Sequence, residues 1–262
     1  MGAPSVSLPG TGANDGVESG ADTNGSSAHS PRVERMDSDP IIRVYVWQIP
    51  VRLVHWTIFL TMIVLSVTGY YLHNPFFVVT GQRAYTLATM RFIHEVTAFI
   101  FTWAFLVRIY WFFAGNAYAR WRAFIPVTRK QRHGVGAMLK YYLFLRWVAP
   151  DEVGHNPLAA CMYLLIYALF LVQILTGFAL YTWILNTEPL RTMFGWLPRL
   201  INIQYLRETH YFLMFIFFAF TIHHVYSALL VSVESANGLM GSIFSGHKFI
   251  HRSVLHKEAG SD

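Results

Sequence analysis

The chain has 262 residues, of which 54% are hydrophobic, 16% aromatic and only 13% charged, and its mean hydropathy is +0.38. Soluble domains carry about 25% charged residues, so the composition excludes an ordinary water-soluble globule and points to the bilayer. The net charge of +6 does not indicate nucleic acid, because the basic residues cluster between apolar spans, where they orient a membrane chain. The single cysteine, Cys161, excludes a disulfide framework, a Cys-based zinc site and a Cys-x-x-Cys-His covalent cofactor attachment.

Residues 1–38 are rich in Gly, Ser, Ala and Asp and lack aromatics. Such a segment cannot bury enough apolar surface to fold and is expected to be a disordered tail; it also lacks the apolar core of a signal peptide. Ile41–Trp47 reads as a short aromatic lead-in to an all-α membrane protein, a bundle of four transmembrane helices over about 50–72, 90–114, 158–185 and 206–233. Each span meets the roughly 20 residues that a bilayer crossing needs. The domain thus covers 39–233, with a 2–3 connection at 115–157 and a tail at 234–262.

That connection carries Arg120, Arg122, Arg129, Lys130, Arg132, Lys140 and Arg146, and both flanks of the bundle are basic too. The other two connections hold fewer basic residues, so both termini are expected to be cytoplasmic. Within the 2–3 connection, Met138–Val148 mixes aromatics with Lys and Arg and reads as an amphipathic helix lying on the membrane surface.

Histidines carry the chemistry. His210 and His224 are 14 residues apart with no charge between them; at about 100° and 1.5 Å per residue they share one face at depths about 21 Å apart. An ionisable group inside a span usually has a partner and a role. With both termini inside, His55 and His224 fall near the cytoplasmic surface, and His94 and His210 near the outer one. Each pair can supply two axial imidazoles to a haem iron, leaving no open position, as suits an electron carrier.

Arg52-Leu-Val-His55, Arg91-Phe-Ile-His94 and Arg207-Glu-Thr-His210 repeat one pattern. A residue three before a histidine shares its helix face, so Arg52, Arg91 and Arg207 can reach haem propionates. Arg108 lies 14 after His94 and is assigned to the propionates of the inner haem. Gly69 lies 14 after His55, where a missing side chain lets the outer porphyrin approach the first helix. Thr176-Gly177 reads instead as a small-residue packing contact. His73, His133, His247, His251 and His256 fall near or beyond the membrane edge, and most of them are expected to be solvated.

These strings resemble the cytochrome b subunit of membrane-bound nickel–iron hydrogenases over about 42–226. The resemblance rests on Arg52-Leu-Val-His55-Trp56, Thr68-Gly69, Arg91-x-x-His94, Arg108-Ile-Tyr-Trp-Phe-Phe-Ala-Gly-Asn116, Gly154-His-Asn-Pro-Leu-Ala159, Met193-Phe-Gly-Trp196, Arg207-x-x-His210 and His224-Val-Tyr226. It departs at Tyr211, where the family often has a second histidine, at Phe215 for a usual tryptophan, and at Leu230-Val231-Ser232 for an Arg-Glu-Asp run.

The resemblance implies a four-helix inner-membrane protein with one or two haem b. His94 and His210 would ligate the proximal haem, and His55 and His224 the distal one. It also implies that electrons come from the iron–sulfur small subunit of a periplasm-facing hydrogenase, a subunit with a membrane helix of its own that bridges to the large subunit. The acceptor would be membrane quinone. His155 and Asn156, at the start of the third span, and Tyr226 are the candidates for quinone contact. Hydrogen activation belongs to the partners, because one cysteine cannot hold such a centre. Two other readings share part of the pattern: the dihaem cytochrome b of a formate dehydrogenase or another iron–sulfur oxidoreductase, and a haem-free membrane anchor.

Overall fold

A computed structural model describes residues 40–76, 85–126, 129–145, 147, 157–185, 188–235 and 237–253. Four long helices dominate: α1 (Ile49–His73), α2 (Thr86–Ala114), α4 (Pro157–Ile184) and α7 (Ile203–Ser235). All four are long and apolar enough to cross a membrane. In lipid such segments must satisfy every backbone polar group internally, which leaves a helix as the solution. Proline sits in the first turn of both α1 and α4, where its missing N–H costs nothing.

The helices pack in two pairs, α1 on α2 and α4 on α7, and α1 also touches α7. The layer that joins the pairs is apolar and aromatic: Phe101 and Phe105 of α2, Ile166 and Phe170 of α4, and Leu213 and Phe217 of α7 form one buried cluster. Phe170 is its hub, with ring centres 5.1 Å from Phe101 and 4.8 Å from Phe217. Leu60, Trp103, Phe212 and Ile222 point away from the bundle and are exposed, as suits faces turned to lipid. Two short helices, α5 (Leu190–Phe194) and α6 (Leu197–Leu200), lie against α4 in the connection to α7.

Three expectations need correction. The surface helix expected at 138–148 is α3, Arg129–Tyr142; it ends before Phe144, whose φ of 58° is not helical, and Val148 lies outside the described residues. It rests on α4 with Met138 fully buried and Arg132 and Lys140 exposed. The lead-in and the C-terminal tail are not featureless. Residues 41–45 form strand β1, and after α7 come α8 (Leu239–Ser245) and strand β2 (His247–His251). The strands pair antiparallel with Ile41 opposite His251 and Tyr45 opposite His247.

An isolated two-stranded sheet is marginal in water, so this one needs further anchors, and the structure supplies them. Val46, Trp47 and Ile250 form a small buried cluster, and Trp47 Nε1 donates to Ser242 Oγ at 2.9 Å. Gln48 Oε1 accepts from Trp111 Nε1 at 2.8 Å and from the Asn116 amide at 3.0 Å, while Asn116 Nδ2 donates to the Val46 carbonyl at 2.9 Å. The Arg108–Asn116 string is thus a clasp that ties the end of α2 to the segment entering α1. The sheet holds the residues before α1 and after α7 on one side of the bundle. The tail expected at 1–38 lies outside the described residues.

Candidate functional site

The bundle brings together the two histidine pairs that helix arithmetic matched. His94 of α2 faces His210 of α7 with ring centres 6.4 Å apart, and His55 of α1 faces His224 of α7 at 6.3 Å. Two imidazole nitrogens each about 2 Å from one metal, with ring centres about 1 Å further back, put those centres about 6 Å apart. Both pairs meet that requirement. Among the described residues no three His, Cys, Asp or Glu side chains gather to hold a metal by themselves, so two facing imidazoles suit an iron whose other ligands come from a macrocycle.

The outer pair borders a cavity of about 460 Å³, within the range of about 300–1,000 Å³ typical of small-molecule and cofactor sites. Phe99, Phe101, Phe170, Ile174, Phe178 and Met214 make its walls apolar, and Arg91, Glu95 and Arg207 stand among the lining residues. Arg207 Nη1 donates to Gln204 Oε1 at 2.9 Å, and Arg91 is exposed. Both arginines are therefore placed to meet acidic groups of an occupant.

Gly69 lines this cavity, but its missing side chain also makes room for an imidazole. A Cβ there would lie 3.2 Å from Cε1 of His94. Gly177 does the same for His210, where a Cβ would come within 2.9 Å of Cε1. It belongs to the site and is not only a helix–helix packing contact. The preceding threonines matter too: Thr68 Oγ1 is 2.9 Å from His94 Nδ1, and Thr176 Oγ1 is 3.0 Å from His210 Nδ1. Sequence reasoning named both Thr-Gly dipeptides but gave Thr68 and Thr176 no role at the histidines, and it did not single out Gln173.

His73 is exposed as expected, and its ring also stacks on Tyr211 at 3.7 Å and 7°, linking the end of α1 to α7 beside the cavity. His133 is exposed as expected, whereas His247 is partly buried, with Nδ1 2.9 Å from the Ser245 carbonyl and 3.2 Å from Arg43 Nη2.

The inner pair is built differently. His224 Nδ1 lies 3.2 Å from the Tyr163 hydroxyl. Two buried nitrogens, Nδ1 of His55 and Nε of Arg52, have no hydrogen-bond partner among the described residues, although Arg52 Nη1 donates to the Phe244 carbonyl. Orphaned buried nitrogens cost about 1–3 kcal/mol each, which fits a place where a bound group completes the contacts.

Arg108 departs from its expected role. It is buried on the inward face of α2, but Nε donates to Tyr167 Oη at 3.0 Å, Nη1 approaches the Ala119 carbonyl at 3.4 Å, and the guanidinium lies 5.0 Å over Phe124. Protein groups already hold it, so it reads as a structural cation that fixes the turn after α2. Tyr226 faces outward and is 63% exposed. His155 and Asn156 lie outside the described residues.

Comparison with known proteins places this sequence among relatives. The model of a family described as prokaryotic cytochrome b561 matches residues 46–246. A probable Ni/Fe-hydrogenase 1 B-type cytochrome subunit of Escherichia coli K12 is 35% identical over 224 residues, covering 81% of this chain and 94% of that protein. A probable Ni/Fe-hydrogenase B-type cytochrome subunit of Cupriavidus necator is 35% identical, covering 78% of this chain and 86% of the relative. One from Rhodobacter capsulatus is 32% identical, covering 78% and 81%.

Proposed function

The chain belongs to the prokaryotic cytochrome b561 family, and from that premise we propose that it carries electrons from the iron–sulfur small subunit of a Ni/Fe hydrogenase to membrane quinone. The observation that carries this reading is the pair of facing histidine couples at two depths of one bundle, at 6.4 and 6.3 Å. The names of the relatives favour a hydrogenase over a formate dehydrogenase as the donor. Haem b held at such a couple supplies one-electron exchange without an open coordination site.

The chain's own residues do the rest. His94 and His210 coordinate the outer iron, and His55 and His224 the inner one. Arg91 and Arg207 neutralise propionates at the outer level and Arg52 at the inner level. The apolar walls keep water from the irons. Basic residues on α3 and on the flanks of the bundle favour the cytoplasm for the side that carries the small sheet, which puts the His94/His210 level towards the periplasm of an inner membrane. The small subunit would dock there, carrying the large subunit with it. Quinone would be reduced near the inner level, with His155, Asn156 and Tyr226 as the contacts to test.

The test is a dithionite-reduced minus oxidised spectrum with a pyridine haemochrome count on purified protein. Wild type is expected to hold about two b haems, with His94→Ala losing the outer and His55→Ala the inner one. A single haem in wild type would remove one of the couples from the route. A colourless wild-type protein would leave only a membrane anchor.

A further inference from the structure

We propose that Thr68 and Thr176 are positioning residues that fix the tautomer of His94 and His210, leaving Nε2 of each ring as the unprotonated nitrogen that would bind iron. This rests on the haem reading above and goes beyond the choice of ligands. A threonine hydroxyl has one hydrogen to give. Thr68 Oγ1 lies 2.7 Å from the Val64 carbonyl and 3.3 Å from that of Leu65, and 2.9 Å from His94 Nδ1. Carbonyls only accept, so the hydroxyl hydrogen goes to the backbone one turn back, as helical threonines commonly do. The oxygen must then accept from Nδ1–H of His94.

Thr176 repeats the arrangement, with the Val172 carbonyl at 2.8 Å, that of Gln173 at 3.1 Å and His210 Nδ1 at 3.0 Å. On the far side of the ring the Gln173 side-chain amide lies 3.3 Å from His210 Nε2, a contact that an iron at Nε2 would displace. Both threonines are 4% exposed, so water does not compete for these bonds. The neighbouring glycines let each ring lie close enough to make them. One device is thus built twice, by α1 for a histidine on α2 and by α4 for a histidine on α7.

Two consequences follow. The imidazoles bind iron without rotating or exchanging tautomer. An Nδ1–H···O bond also makes imidazole a stronger donor, which favours ferric iron and lowers the potential of the outer haem. The inner level lacks the device among the described residues, where His55 Nδ1 has no partner and His224 faces a tyrosine, so its haem serves as an internal control.

Thr68→Val and Thr176→Val remove the hydroxyl at nearly constant shape; Thr68→Ser and Thr176→Ser restore it without the methyl. Haem count, redox titration and the low-spin ferric EPR signal of the purified full chain are the readouts, with His94→Ala identifying the outer haem. Each Val variant is expected to weaken outer-haem retention tenfold or more, or to raise its potential. A tenfold loss of ferric preference corresponds to about 59 mV. The Ser variants should behave as wild type, and the inner haem should not change. Val variants with wild-type haem content and potential would overturn the proposal. If a Val variant loses the outer haem altogether, its Ser counterpart decides: restored haem supports the hydroxyl, and absent haem shows that only shape mattered. Absence of haem from wild type would instead sink the haem reading itself.

Discussion

Replacing Gly177 by alanine presses on the outer site at its tightest point. The new Cβ would stand 2.9 Å from Cε1 and 3.6 Å from Nδ1 of His210, whereas carbon atoms prefer about 3.5–4.0 Å. Alanine is the better helix former by about 1 kcal/mol, and overpacking of this kind costs about 1–3 kcal/mol. The net loss of about 0–2 kcal/mol leaves the helix intact and passes the strain to the imidazole. Disturbing the orientation of a ligand typically costs about 10–100-fold in metal affinity. Gly177→Ala should therefore lose outer haem by that factor while unfolding within a few degrees of wild type. Gly69→Ala, at 3.2 Å from His94 Cε1, should show the same defect more weakly. Gly136 of α3 is the control, because a Cβ there meets nothing within 4 Å. Haem-to-protein ratio and thermal melting of the three variants in detergent make the assay. Full haem with a wild-type spectrum in Gly177→Ala, or an equal haem loss in Gly136→Ala, would refute the reasoning.

Two further perturbations address the surroundings of the site. Trp111→Phe removes one bond to Gln48 and should cost about 0.5–1.5 kcal/mol, whereas Asn116→Ala strips the buried Val46 carbonyl of its side-chain donor and should cost about 1–3 kcal/mol. Both should lower the melting temperature with no loss of haem; haem loss without destabilisation would count against the clasp. The Tyr141 hydroxyl donates to the Glu234 carboxylate, which, ahead of burial, pushes its pKa up from 10.0 to about 12. The folded state therefore holds this proton more tightly, so the contribution to stability is complete below about pH 10 and is lost as pH climbs to about 12. Melting curves from pH 8 to 12 should converge for wild type and Tyr141→Phe at the alkaline end, and a constant gap would contradict the assignment.

Much of the site was readable because helix arithmetic is rigid. A rise of about 1.5 Å per residue places His210 and His224 at two depths, and lysine–arginine bias supplies the direction of each span. The two histidine pairs follow without knowledge of any contact. The same arithmetic correctly turned Arg108 inward. It could not say what waits there, since Tyr167 and Ala119 come from other segments. Nor could it find β1 and β2, whose paired residues Tyr45 and His247 are about 200 positions apart and whose runs of five are shorter than a span search admits.

Periodicity reports which way a side chain points, and only packing decides what it meets. Thr68 and Thr176 show the limit most clearly. Thr68 lies 13 residues from His55 on its own helix and Thr176 shares its helix with no histidine, yet each sits against a histidine 26 or 34 positions away on the neighbouring one. Ligands are constrained by depth alone and so leave a trace in one helix at a time. The groups that orient them are constrained by the crossing of two helices, and that crossing is written in neither sequence segment by itself. A Thr-Gly pair that recurs once in each helix pair is the nearest a single sequence comes to recording it. The pair is legible as a site feature only when each dipeptide is set beside the histidine of its partner helix.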